Sequence, residues 1–199
     1  MTETKTIPLL LAALLCVNAL HAQQKWCQYG LKVGTSFPTN RNYSVDGDLL
    51  QALSTADFGL FFRAGKFVYG EVGIGYTFLK GNYGMQAGNG DYLFNGVYVA
   101  THHLQIPVKL VGNIPMGRAS AFLPHAGIVY QPLLKVTANS IGFSKSTLAC
   151  NPLLLAAGFD LKFGPIVLGT SYRYSLQTFF QNKAGKHPQY INICAGIQL

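Results

Sequence analysis

Residues Val68 to Phe78 read V-Y-G-E-V-G-I-G-Y-T-F. Alternate positions fall into an apolar set, Val68, Gly70, Val72, Ile74, Tyr76 and Phe78, and a small or polar set, Tyr69, Glu71, Gly73, Gly75 and Thr77. A period of two is that of a β-strand, whose successive side chains point to opposite faces. The alternation recurs along the chain and predicts eight strands, about Tyr29–Phe37, Thr55–Arg63, Val68–Phe78, Gly96–Val111, Ser120–Lys135, Pro152–Phe163, Ile166–Leu176 and Gln189–Leu199. In each, Leu, Ile, Val, Phe or Tyr on one face opposes Gly, Ser, Asn, Gln or a charged residue on the other.

The connections alternate as regularly as the side chains. Pro38–Ser54, Lys80–Asn95, Val136–Thr147 and Gln177–Pro188 are long, whereas Ala64–Lys66, Asn113–Arg118 and Gly164–Pro165 are short. Long and short connections in strict turn, with an even strand number and strands of about 9 to 11 residues, predict an all-β fold: an eight-stranded antiparallel up-and-down transmembrane β-barrel. A periplasmic N-terminus puts all four long connections outside the cell and returns the C-terminus to the periplasm.

Composition decides which solvent meets the apolar faces. Charged residues make up 11% of the 199 residues, against roughly a quarter in ordinary soluble proteins. Turned inward, the apolar set would leave a glycine-rich outer surface with few charges, a poor coat for a secreted soluble barrel. Turned outward, it meets lipid, and the other set fills a lumen that eight strands leave just wide enough for side chains. That lumen is predicted to hold a polar cluster of Asp57, Arg63, Glu71, Gln105, Lys109, Asp160 and Arg173, where opposite charges pair. Its expected role is structural filling. Trp26, Tyr29, Phe37, Tyr76, Phe78, Tyr172 and Tyr174 are candidates for interfacial girdles.

The remaining chemistry is sparse. Residues 1–22 read as a signal peptide, with Lys5 before the apolar run Ile7–Leu20 and a cut after Ala22, leaving 23–199 as the barrel domain. The mature chain keeps Cys27, Cys150 and Cys194, an odd number without metal-site spacing, among which one bridge can form. The formal net charge of +8 is scattered rather than gathered on a helix or in an arginine-rich run, which argues against nucleic acid and suits outer-membrane lipid and lipopolysaccharide. Asp46 and Asp48 read as a turn rather than as a cation cage. No cofactor, metal or catalytic residue is expected.

Gly30-Leu31-Lys32-Val33-Gly34 is followed by Phe58-Gly59-Leu60-Phe61-Phe62, Tyr69-Gly70-Glu71-Val72-Gly73 and Leu104-Gln105-Ile106-Pro107-Val108-Lys109. Ala126-Gly127, Ala157-Gly158-Phe159-Asp160 and the final Ala195-Gly196-Ile197-Gln198-Leu199 complete the set. The order of these segments resembles the PorT-like outer-membrane β-barrel family of Bacteroidota. The resemblance implies a bacterial outer-membrane barrel; one branch of the family is linked to protein export, and no motif here marks that role. The expected function is therefore non-enzymatic, structural, adhesive or accessory to a larger assembly, with protein partners met through the long outer loops. Two alternatives carry different signatures. A lipid- or glycolipid-modifying barrel enzyme would draw on His102, His103 and Ser171 at the outer wall, although neighbouring histidines on a strand point to opposite faces. A soluble lipocalin-like carrier would turn the apolar set inward.

Overall fold

The computed structural model describes residues 26–39, 42–45, 48–86, 92–117, 119–137, 152–178 and 187–199, with backbone alone for 42–45, 48–54, 82–86 and 92–98. The expected signal peptide, Asp46 and Cys150 lie outside the described residues, as does most of the connections after Val136 and Gln177.

Among the described residues eleven strands form one sheet. They are β1 (Cys27–Pro38), β2 (Asn42–Val45), β3 (Asp48–Gly65), β4 (Val68–Gln86), β5 (Tyr92–Gly112), β6 (Ile114–Pro115), β7 (Ser120–Tyr130), β8 (Leu133–Thr137), β9 (Leu153–Phe163), β10 (Ile166–Ser175) and β11 (Gln189–Gln198). Antiparallel pairing runs β7-β9-β10-β11-β1-β3-β4-β5 and returns to β7, so the sheet closes into an eight-stave barrel. The strand ends meet through the pairing of β1 with β11, from Gly30↔Gln198 to Pro38↔Tyr190. Closure leaves the ring of eight staves without an open edge, which lets a sheet sit in hydrocarbon with its backbone groups satisfied.

The predicted fifth strand is two pieces. Pro132 has no N–H to give the ladder, and β5 shifts register at the same height, between His102 and His103. Below the break β7 pairs β5 and above it β8 does, so the two share one stave. β2 pairs only β3, and β6 only β7.

Strand lengths depart from the expected 9 to 11. β3, β4 and β5 run for 18, 19 and 21 residues. Much of the expected long connections Pro38–Ser54 and Lys80–Asn95 is paired strand, with Asp48↔Met85 and Gln86↔Tyr92 near the tips. The physical reason is that a ladder of backbone hydrogen bonds continues where neither face meets lipid. There the apolar alternation that betrays a strand has no cause to persist.

The faces sort as composition implied. Leu31, Val33 and Phe37 on β1, Phe58, Leu60 and Phe62 on β3, and Val68, Val72, Ile74 and Tyr76 on β4 are exposed. So are Val108 and Leu110 on β5, Leu155 and Phe159 on β9, Ile166, Leu168 and Tyr172 on β10, and Ile191, Ile193 and Ile197 on β11. A continuous apolar girth of this kind far exceeds the few hundred Å² that a soluble monomer tolerates. The inward apolar set of a soluble carrier is excluded. Along β4 the belt runs from Val68 to Phe78 before the exposed Lys80. At about 3.3 Å per residue and a tilt near 40°, that stretch rises about 25 Å, the height of the apolar band of an outer-membrane barrel.

The short-turn rim is tight. The β9–β10 connection is Gly164-Pro165, with Gly164 at φ 58°, a left-handed conformation that glycine adopts without a Cβ penalty. Exposed Trp26 and Phe67 flank the β3–β4 turn, and Lys66 Nζ stands 6.0 Å from the Trp26 ring centroid and 5.6 Å from that of Phe67. Aromatic rings beside a cation suit the level of lipid headgroups.

Val72→Arg, near the middle of the belt, is expected to cost about 2–4 kcal/mol of folding free energy in lipid, and Phe67→Arg, at the rim, about 0–1 kcal/mol. Reversible urea unfolding in vesicles measures both; equal costs would mean that the belt does not lie in hydrocarbon.

Candidate functional site in the barrel lumen

All seven predicted cluster residues point into the barrel, where the structure divides them between two networks. The lower one is built by register. The Gly65-Lys66-Phe67 turn sets Arg63 opposite Glu71, and Glu71 in turn lies opposite Lys109. Arg63 is fully buried. It donates from Nε to Glu71 Oε2 at 2.6 Å, from Nη2 to Asp160 Oδ2 at 2.5 Å and from Nη1 to Gln198 Oε1 at 3.4 Å. Lys32 Nζ reaches the same Asp160 oxygen at 2.7 Å and Glu71 at 4.0 Å. Lys109 Nζ lies 3.4 Å from Glu71 Oε1. The Phe61 ring lies under both cations, 4.7 Å from the Arg63 guanidinium and 5.0 Å from Lys32 Nζ. Asp160 fits because Gly169 stands opposite it; a Cβ there would collide with Asp160 Oδ1 and come within 2.9 Å of Cys194 Sγ.

The upper network centres on Asp57. Its Oδ2 accepts from Ser36 Oγ at 2.8 Å and Asn192 Nδ2 at 2.7 Å. Its Oδ1 accepts from Thr77 Oγ1 at 2.8 Å and Gln105 Nε2 at 3.2 Å. Arg173 Nη1 approaches Asp57 Oδ2 only to 3.6 Å. Donors from β1, β4, β5 and β11 thus meet on one β3 carboxylate, which cross-braces staves on different sides of the barrel.

Apolar groups close the lumen at both levels. Tyr69, Val111, Ala121 and Leu123 pack together near the short turns, and Gln28 and Asn113 donate to Tyr69 Oη at 3.2 and 3.0 Å. Leu79, Val129, Leu154, Ala156 and Tyr190 form the other cluster. Cavities of about 50 and 60 Å³ lie among the described residues, and both are lined by Asp57, Gln105 and Arg173.

Several lumen residues were not among the seven. Lys32, Ser36, Thr77, Asn192 and Gln198 take part in the two networks, and His125 is buried beside them with its Nδ1 3.9 Å from Asp160. Each sits on the polar parity of its strand, so the signal was present: in a closed narrow barrel, every polar residue on that parity meets the others.

Outside the lumen the described wall carries a polar constellation around His102. His102 faces outward and His103 inward, as alternation requires. His102 Nδ1 is bonded to Tyr76 Oη, and its Nε2 lies 2.8 Å from Thr137 Oγ1. The His102 ring is 5.1 Å from that of Phe78. Ser171, a candidate for outer-wall chemistry in the sequence, is buried in the lumen instead, because it shares the parity of Gly169 and Arg173. Of the girdle candidates, Tyr76 and Phe78 lie mid-strand on β4 at the top of the belt rather than at a strand end. Cys27 and Cys194 are both free thiols. No group of His, Cys, Asp or Glu side chains among the described residues is arranged to hold a metal ion.

Replacing Arg63 by Met leaves Glu71 and Asp160 buried without their shared partner and is expected to cost about 3–5 kcal/mol. Removing Glu71 as well should cost much less than the two single losses together. Urea midpoints for the single and double variants test this; additive losses would mean that the two side chains are not coupled.

No protein-family model matches the chain, and no curated protein sequence does. Among solved structures it is similar to a de novo designed transmembrane β-barrel, with 11% identity over 89% of this chain and 98% of that one and a TM-score of 0.39. It is similar to the outer membrane protein Ail of Yersinia pestis in a phospholipid bilayer nanodisc, with 16% identity over 86% and 99% of the two chains and a TM-score of 0.37. The translocator domain of the autotransporter NalP from Neisseria meningitidis aligns at 10% identity over 98% and 96%, with a TM-score of 0.39.

Proposed function

We propose that the chain is a small integral protein of the bacterial outer membrane that acts by holding its long connections at the cell surface, as a structural, adhesive or accessory element of a larger assembly. The observation that carries this reading is the pairing of a continuous outward apolar belt with a lumen closed by side chains. A belt of that height anchors, and a lumen so closed does not conduct solutes freely, which leaves the rims as the parts free to bind. The resemblance to the PorT-like family supports the accessory role, with protein export as its most specific form. Outer-membrane lipid and lipopolysaccharide are the partners of the belt and its edges, where exposed Lys80 and Lys135 stand above the apolar rows. Both termini lie in the periplasm on this reading, beside the short turns.

A second reading has one observation behind it. Thr137 Oγ1 next to His102 Nε2 on the outer wall places a hydroxyl beside a base at the top of the belt. An acyl-transfer enzyme acting on membrane lipid would use such a pair. Fatty acid released from lipopolysaccharide by the purified barrel, and lost with His102→Asn, would favour it; absence of release from the wild type removes it.

The anchoring reading is tested by migration of unheated and boiled samples from detergent-extracted outer membranes. A shift between the two, together with no stepwise conductance in planar bilayers, is the expected result. Recovery from the soluble periplasm with no shift overturns it.

A further inference from the structure

The charges of the lumen do not balance. Between the two apolar clusters stand Lys32, Arg63, Lys109 and Arg173 against Asp57, Glu71 and Asp160, so the described lumen carries one positive charge in excess. The half-buried Lys162, near the short turns, adds to the imbalance rather than relieving it. Inside a protein shell that is itself wrapped in apolar side chains, an uncompensated charge is costly.

The excess has a location. Arg63 makes hydrogen bonds from all three of its nitrogens, and Lys32 bonds Asp160 at 2.7 Å. Among the described residues Lys109 has the 3.4 Å approach to Glu71, and Arg173 the 3.6 Å approach to Asp57. These two weakly paired cations line the same cavity of about 60 Å³. That cavity is also lined by His125, a side chain 3% exposed with neither ring nitrogen in a hydrogen bond among the described residues. Arg173 Nε is likewise buried without a hydrogen-bond partner there. Asp57, Glu71 and Asp160 line the cavity as well; of their oxygens Asp160 Oδ1 is buried without a hydrogen bond among the described residues, 3.9 Å from His125 Nδ1. It lies toward the lower network, where Arg63 and Lys32 hold its sister oxygen.

We propose that the cavity between Lys109, Arg173 and His125 is a binding site for one small monovalent anion of the halide class, which completes the charge balance of the lumen. The volume suits it. A water needs roughly 10–15 Å³ of such space, so the cavity holds an anion together with two or three waters. Two cations, an imidazole N–H and the hydroxyl of Ser171, which also lines the cavity, are donors suited to a spherical acceptor. A carboxylate or phosphate ester on a larger molecule does not fit the volume. The inference goes beyond the anchoring role and stands on the lumen alone. The competing ways of removing the charge are loss of a proton from Lys109, with water alone in the cavity, or a counter-charge from residues outside those described.

The deciding experiment uses the full-length barrel crystallised or soaked in bromide in place of chloride. The expected result is an anomalous difference peak within about 3.5 Å of Lys109 Nζ and Arg173 Nε. Water density alone at that place overturns the proposal, as do anomalous peaks confined to the outer surface, which would record an adventitious ion only. In solution, unfolding by urea in chloride is compared with gluconate at equal ionic strength and pH. Chloride at ten times its dissociation constant is expected to shift the unfolding equilibrium about tenfold toward the folded barrel, saturably. Gluconate is too large to enter. Arg173→Gln should abolish the chloride dependence while the barrel still folds. Should that variant fail to fold, His125→Phe, which removes the imidazole donor and leaves the ion pairs of Arg63, Lys32, Lys109 and Arg173 in place, supplies the same readout. Equal stability of the wild type in both salts overturns the site.

Discussion

Arg63 is buried completely between Glu71 and Asp160, and the barrel is organised around keeping that cation paired. A guanidinium without partners in such a place would cost several kcal/mol. The two carboxylates come from β4 and β9, staves on different sides of the lumen, so the ion pairs hold only in a closed barrel of this circumference. Closure is therefore tied to charge satisfaction: a misregistered strand would strand the cation or bring Phe61 out from under it. Gly169 shows how closely the wall is cut to this purpose, since any side chain there would displace Asp160.

Asp57 repeats the principle at the next level with neutral donors. Ser36, Thr77, Gln105 and Asn192 approach it from four strands, and each of those side chains is short or planar enough to reach the axis without crowding its neighbour. The apolar clusters that cap the two networks keep them apart from bulk water, which strengthens the ion pairs and raises the cost of breaking any of them. The fold is thus inverted relative to a soluble domain: its polar networks hold the centre between two buried apolar clusters, and the outward apolar groups match the solvent.

Most of this inversion was legible in the sequence, because period-two alternation survives wherever one face meets lipid. Leu31, Val33, Ile191 and Ile193 declare their face by their neighbours alone. The same criterion fails above the belt. β3, β4 and β5 extend well past Thr55, Phe78 and Gly96, and nothing in the pattern of apolar residues marks the extensions. The split at Pro132 was signalled by the proline but needed the register of β5 to be seen. Lys32 and His125 were visible on the polar parity. Their importance depended on which residues lie across the lumen, a property of closure rather than of any one strand.

The unequal strand lengths give the molecule a direction. On the short-turn side the rim ends close to the belt, with Trp26, Lys66 and Phe67 at the boundary. On the other side β4 continues from Lys80 to Gln86 as paired strand, and β3 and β5 rise with it, whereas β10 and β11 meet at Ser175 and Gln189 near the belt's edge. Among the described residues a hydrogen-bonded wall of β3, β4 and β5 stands above the belt. Extended pairing that far from the membrane adds nothing to anchoring, which the belt already provides. Its physical effect is to stiffen the connections that lead into β3 and from β4 to β5 at their base. A partner that reads these connections meets a preformed surface and loses less conformational entropy in binding it than it would on free loops.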